Sequence, residues 1–503
     1  MDVIVDGSPL RIEDVAAVAT RQAEARAGDG LAERMAPAHR VVSDAVANGD
    51  VVYGITTGFG AFASTRIDPS EARELQVNLL RSHAAGVGDP LPDEVVRAML
   101  LLRARTLAQG HSGVRPVIVE RLLEMLRRDL LPVVPTYGSV GASGDLAPFA
   151  HMALPLIGEG EVHIDGRVLP AATALADAGL EALELEAKEG LSLLNGTEGM
   201  SAMLCLAIPR AERLAAVADL AAALSIEALM GSARPFLSEL HRLRPHPGQI
   251  ASAERISRLL AESEIGASHA DDFSHAVQDA YSLRCAPQVH GAVADTVAHA
   301  RRVVEVELGS VVDNPIVLPD EGQVISGGNF HGQPLAFAAD FLTIAVTELG
   351  SISERRTDRM LDPERSAGLA PFLSPRPGLH SGYMLAQYTA AALVAENRVL
   401  SHPASVESIP TSGLQEDHVS MGWGAGRKMG EVVDNTTWVL AVELVCAAQG
   451  IEERRPLQPS PLCASAVEMI REAVPSLTAD RPVGVDVEEV ATLIYSGAFD
   501  GLL

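Results

Sequence analysis

The sequence predicts a mainly α protein, a bundle of long helices preceded by a small mixed N-terminal region that carries functional loops. Three observations predict it. Hydrophobic residues fill 47% of the 503 positions while aromatic residues supply only 4%, and a core of Ala, Leu and Val suits packed helices better than a β-sandwich. Apolar residues recur at helical spacing through 201–232, 250–262, 269–284, 288–309, 333–362, 381–400 and 425–450, several of these tracts exceeding ordinary helix length. Along them, abundant alanines with charges only at intervals allow helices to approach closely and suit contacts between subunits.

On this reading the chain divides into an N-terminal region, 1–200, and a central helical bundle, 201–503, whose last 50 residues form a smaller helical unit opened by Pro456, Pro459 and Pro461. Residues 1–50 begin with a short hairpin around Asp6-Gly7, followed by charged, Ala-rich helices with Asp14 and Asp44 near their starts. Then VVYGITTGFGAF, 51–62, sets Gly54, Gly58 and Gly60 around Thr56 and Thr57, with Tyr53 at the entrance. Such a loop suits a lid. It lacks the G-x-x-x-x-G-K-[ST] pattern of a phosphate cradle. Residues 71–130 read as helices interrupted at 81–92, where His83 precedes a Gly/Pro turn. A small hairpin turning at Asp165-Gly166 spans 160–172, and Asn195-Gly196 interrupts an apolar run at 188–200. Between the long helices, polar clusters fall at 281–291, 311–317, 326–334 and 412–422.

Charge and composition exclude several classes. A formal charge of −27 argues against nucleic acid or an anionic membrane surface as partner, since both call for a basic face. Cys205, Cys285, Cys446 and Cys463 are far apart, with no CxxC pair and no zinc-like histidine spacing, so neither a disulfide framework nor a metal site is expected. The acidic start MDVIVDGSPLRIEDV lacks the basic and apolar regions of a signal peptide. The long apolar tracts are interrupted by charges and read as core helices. Cytoplasmic location is the expectation.

The chemistry is placed in 137–160, YGSVGASGDLAPFAHMALPLIGEG, centred on Ala142-Ser143-Gly144. Three glycines at spacing three around one serine ordinarily mark a turn. The other reading is covalent: the Gly144 nitrogen attacks the Ala142 carbonyl, and loss of two waters turns Ser143 into the methylidene of an imidazolone ring. Alanine adds little bulk, serine supplies a leaving hydroxyl and glycine leaves its nitrogen unshielded. The product is an electrophile, which ordinary side chains do not provide.

Context favours the second reading. Tyr53 in YGITTGFG, Ser82-His83 in SHAAGVG, GSVGASGDLAPFAH, Asn195 in LLNGTEGM, YSLRCAPQVHG, Asp313-Asn314-Pro315, Asn329-Phe330-His331-Gly332 and QEDHVSM together resemble the aromatic amino-acid ammonia-lyase family over nearly the whole chain. The resemblance implies a long-helix bundle of the fumarase/aspartase-like lyase type and a homotetramer whose sites draw on several chains. It implies a 4-methylidene-imidazol-5-one (MIO) made autocatalytically from Ala142, Ser143 and Gly144, without external cofactor; apart from the resemblance, the neighbouring carboxylate of Asp145 is a candidate proton acceptor during closure. By the same resemblance Tyr53 takes the substrate β-proton, with Tyr281 the alternative base. Arg284 clamps the carboxylate, Asn195 and Gln278 hydrogen-bond the amine, carboxylate or ring oxygen, and Phe330 packs against the ring or substrate.

Substrate choice rests on His83, preceded by Ser82, and on Glu416, a carboxylate able to face an imidazole. Both favour L-histidine, giving trans-urocanate and ammonia. A tyrosine or phenylalanine lyase or aminomutase is the alternative, and an inactive helical homologue a further one. The GSS-containing signature loop of the fumarase and aspartase group is missing. One departure stands before QEDHVSM, where Ser412-Gly413-Leu414 replaces an expected Ser-Ala-Asn.

Overall fold

The computed structural model describes residues 2–62, 64–270 and 277–503. Long helices dominate it: Glu198–Ala228, Ala286–Glu307, Gln333–Leu361 and Gly422–Glu452, with Pro247–Leu259 and Met384–Leu400 beside them in sequence. Each realises a tract of helical periodicity. The exception is 269–284. Residues 271–276 of that tract lie outside the described residues, and the rest holds only one helical turn, Tyr281–Arg284. Asp279 explains the break: its carboxylate accepts from the Ser232 amide at 2.8 Å and its carbonyl from Arg284 Nε at 2.9 Å, so it anchors a loop.

Two further expectations need correcting. Asp6-Gly7 does not turn a hairpin: strand Asp2–Val5 pairs in parallel with Glu24–Ala27, with helix Ile12–Ala19 between them. The Asp6 carboxylate accepts from the Ser8 amide at 2.9 Å and steers the chain towards that helix. Asp14 lies in the first turn as expected, but Asp44 sits far along Leu31–Asn48, which starts at a left-handed Gly30 instead. The hairpin at 160–172 is as read, with Glu161–Ile164 against Arg167–Pro170 and Asp165 and Gly166 both at positive φ.

The chain folds into two compact units. The first comprises Met1–Leu206, Arg301–Ala339 and Pro403–Arg427; the second comprises Ala207–Ala300, Asp340–His402 and Lys428–Leu503. The polar clusters at 311–317, 326–334 and 412–422 therefore belong to the same unit as the N-terminal loops. Helix Gln333–Leu361 is long and apolar enough to cross a membrane, yet 67% of its most apolar window is buried inside the protein, as in the core helix of a globular fold.

Buried charges tie the second unit together. Arg356 and Glu443, both fully buried, form an ion pair whose carboxylate also accepts from Ser225 Oγ and Ser353 Oγ at 2.6 Å each. Next to it, His290 Nδ1 donates to Asp219 at 2.7 Å while its Nε2 accepts from Arg356 Nη1 at 3.3 Å. Burial pushes His290 below the ordinary imidazole range, and the neutral ring satisfies both neighbours. Such a network is costly to break from one side.

Candidate active site

Two glycine backbones meet at the tripeptide. Gly144 and Gly196 form a parallel bridge: the Asp145 amide donates to Gly196 O at 2.9 Å, and the Gly196 amide donates to Ser143 O at 3.3 Å. A side chain at position 144 would have its Cβ 1.9 Å from Gly196 O, and φ there is +77°. Only glycine fits. From the other side, Ser420 Oγ donates to Gly141 O at 3.2 Å and the Met421 amide donates to Val140 O at 2.9 Å. The tripeptide is thus gripped from both flanks between strand Pro135–Tyr137 and helix Leu146–Ala153. This cradle fits ring closure: the Gly144 backbone is held tightly against Gly196, and the Gly144 nitrogen carries no Cβ beside it.

Asp145 caps the grip from below and is fully buried. Its carboxylate accepts from the Met200 amide at 3.0 Å and from Ser139 Oγ at 3.1 Å. Burial pushes its pKa up to about 7, with Glu198 adding to the rise and the Met200 amide, Ser139 and Arg103 opposing it.

Several side chains named from the sequence share the compact unit that holds Ser143. Glu416 Oε1 lies 3.5 Å from Ser143 Oγ, a long contact, while its Oε2 accepts from Thr411 Oγ1 at 2.8 Å. His83 ends helix Ala72–His83, and its Nδ1 lies 3.0 Å from Leu79 O, which assigns the proton there and leaves Nε2 an acceptor. Burial pushes His83 down, partly offset by the Leu79 carbonyl and by Glu416. Asn195 is buried at the end of helix Glu189–Leu194, donating to Leu191 O at 3.2 Å and to Asn314 O at 3.1 Å. Tyr53 sits in the glycine-rich loop, where its hydroxyl accepts from the Gly60 amide at 3.3 Å. Phe330 is half-buried on a turn held by Gly327 N to Asn314 Oδ1 and Asn329 Nδ2 to Val311 O. All these residues belong to the first unit.

Gln278, Tyr281 and Arg284 fall in the second unit. Gln278 is exposed and Tyr281 is 72% exposed. The Arg284 guanidinium carbon lies 4.6 Å from the centre of the Tyr281 ring, a cation–π stack. Gln278 and Arg284 line a cavity of about 1020 Å³ with Asp279, Cys285 and Gln288.

The departure at 412–414 has a local consequence. Ser412, Gly413 and Leu414 have φ of +52°, +61° and +71°, and Ser412 packs on the glycine-rich loop, where a Cβ at Gly60 would lie 2.7 Å from its Oγ. A left-handed leucine is strained by about 1 kcal/mol, whereas asparagine tolerates that region. Leu414→Asn is expected to raise stability by about 1 kcal/mol, read as a higher thermal midpoint; an unchanged or lower midpoint would show the strain is relieved elsewhere.

Sequence reading overlooked the buried polar groups behind the tripeptide. Lys188, fully buried, donates to Asp313 and to Ser192 Oγ, both at 2.8 Å, which fixes the turn carrying Asn314. Arg103 and Glu198 pair at 2.7 Å with almost no exposure. The signal was present in LLLRARTLA, where two arginines interrupt a helix buried from Val95 to Ala108, since a buried arginine demands partners.

Residues 10–472 match the family described as aromatic amino acid lyase. A histidine ammonia-lyase of Gloeobacter violaceus is 54% identical over 98% of this chain and 96% of its own length. Among solved structures, histidine ammonia-lyase from Trypanosoma cruzi aligns with a TM-score of 0.92 at 41% identity, covering 100% of this chain and 95% of that one. Tyrosine aminomutase from Streptomyces globisporus aligns with a TM-score of 0.93 at 42% identity, covering 100% and 98%.

Proposed function

The chain belongs to the aromatic amino acid lyase family, and from that premise we infer that it is a carbon–nitrogen lyase that removes ammonia from L-histidine to give trans-urocanate. One observation carries the substrate: the Glu416 carboxylate lies beside Ser143, within electrostatic reach of His83, whose pKa burial pushes down. A carboxylate can accept the imidazole N–H or stabilise imidazolium, and the free His83 Nε2 offers a second polar contact. A phenyl or phenol ring would leave these groups poorly matched.

The family's electrophile is assigned here to Ala142, Ser143 and Gly144. Closing the bond from Gly144 N to the Ala142 carbonyl carbon expels that oxygen as water with the amide hydrogens of Gly144 and Ser143. A second water takes the Ser143 hydroxyl with its Cα hydrogen. Once formed, the ring supplies an electron-poor methylidene carbon that no unmodified side chain offers. The Gly196 amide at Ser143 O polarises that carbonyl and so acidifies the adjacent Cα–H.

The remaining groups bind, orient and move protons. Tyr53 is assigned as the base for the β-proton, with Tyr281 the alternative. Arg284 would hold the substrate carboxylate as a two-pronged clamp, Asn195 and Gln278 would orient amine and carboxylate, and Phe330 would pack against the ring. Because Tyr281 and Gln278 lie exposed, and Phe341, Ile344, Leu385, Tyr388 and Val399 present apolar surface on two long helices, the reading includes a homotetramer whose sites combine residues of different chains. Four free cysteines suit a reducing cytoplasm.

Mixing purified protein with each amino acid and following the ultraviolet absorbance of the unsaturated product tests the substrate. Histidine is expected to give the signal; tyrosine or phenylalanine giving it instead would move the chain to the other branch of its family. If Asp145 takes the proton during closure, its carboxylate is needed, and that form declines below its pKa of about 7. Ring formation, followed as the loss of two waters from the intact mass, should then slow roughly tenfold per pH unit on the acid side of that value. A rate flat through that range would remove Asp145 as the acceptor.

A further inference from the structure

We propose that Arg103 is the positioning residue that forces the Ala142–Gly144 segment into its closing geometry, an inference that rests on ring formation there. Arg103 projects from the middle of helix Asp93–Ala108 and is fully buried. Its Nη1 donates to Asn195 O at 2.6 Å and Ser192 O at 3.2 Å, and its Nη2 donates to Glu198 Oε2 at 2.7 Å. Its guanidinium carbon lies 4.5 Å from the centre of the Phe149 ring. These partners belong to the two segments that grip the tripeptide. The 192–198 turn carries Gly196, and Phe149 lies on the helix that starts just after Gly144. One planar cation therefore ties both.

The same cation removes slack from the turn. A Cβ on Gly196, whose φ is +149°, would lie 2.4 Å from Arg103 Nη2 and 2.1 Å from Glu198 Oε2. The Gly196 backbone is thus packed between the Arg103–Glu198 pair on one side and Gly144 on the other, and cannot retreat when Gly144 presses against it. Closure is an intramolecular attack in which small misplacements are expensive, about a hundredfold in rate per ångström. A fork of donors holds the turn in a plane that a lysine ammonium cannot reproduce.

Stability alone does not account for this arginine. Its Nε is buried with no hydrogen-bond partner among the described residues, and buried ion pairs of this kind are often replaced by apolar packing without loss. What apolar packing could not supply is simultaneous, directional contact with Asn195 O, Ser192 O and Glu198.

The test is intact mass on the folded full-length protein. Wild type, Arg103→Lys and the double variant Arg103→Gln/Glu198→Gln are purified, checked for helical circular dichroism and cooperative thermal unfolding, and weighed. Wild type is expected two waters below its sequence mass. Both variants are expected to keep the helical signal, with the fraction of chains two waters lighter reduced at least about tenfold. The double variant removes both buried charges together, so it decides the matter if the lysine variant does not fold. A folded variant carrying the full mass deficit would overturn the positioning role even if less stable. A wild type at its unmodified mass would instead sink the ring itself.

Discussion

Ser143→Ala is expected to yield a folded, helical protein whose mass equals its sequence mass and whose ammonia elimination falls at least about a thousandfold. The fold should tolerate the change because, among the described residues, the Ser143 hydroxyl makes only a 3.5 Å contact with Glu416, too long to contribute much. The chemistry should not tolerate it. Alanine has no hydroxyl to lose, so no methylidene forms, and the remaining site offers acids, bases and donors but no electron sink. Intact mass and product absorbance are measured on the same sample. Near-normal turnover from a folded variant at unmodified mass would refute the assignment of the electrophile to Ser143.

Tyr53→Phe should leave the proposed electrophile in place and remove the proposed base. The variant is expected two waters below its sequence mass, like wild type, with kcat lowered by roughly 10²–10⁴ and KM changed much less. This split separates the two tyrosines. If Tyr281 were the principal base, Tyr281→Phe would show the larger fall in kcat and Tyr53→Phe a modest one. The phenol at 53 is held by the Gly60 amide at 3.3 Å, a contact phenylalanine loses, so mobility of the glycine-rich loop is checked separately by hydrogen exchange across 51–62.

What could be read from the sequence was whatever shows as local pattern. Helical periodicity gave the long helices because burial of an alanine-rich face repeats along the chain, and the Asp165-Gly166 turn followed from a two-residue loop that tolerates positive φ at both positions. The parallel pairing of Asp2–Val5 with Glu24–Ala27 escaped because nothing local distinguishes a parallel partner across a helix from an antiparallel one across a turn. The loop at Asp279 escaped because its anchors, Ser232 and Arg284, include a partner far away in sequence.

The site was legible as residue types in a familiar order, and Ser143, Glu416, His83, Asn195 and Tyr53 fall in one compact unit. Their support was not. Arg103, Glu198 and Lys188 act through backbone carbonyls and buried carboxylates that periodicity cannot assign, and the glycine pair 144 and 196 is informative only once their separation in space is known.

The clasp on Val140 and Gly141 by Met421 and Ser420 also sets a schedule. During synthesis the serine at 143 emerges from the ribosome long before Ser420 and Met421, so on the proposed ring assignment the nascent chain would carry an inert hydroxyl until the distal segment had arrived and docked. A reactive methylidene exposed on a half-made polypeptide would be free to capture passing thiols and amines. If the proposed ring forms, dividing the clasp between early and late parts of the chain would make the finished fold its own licence for self-modification.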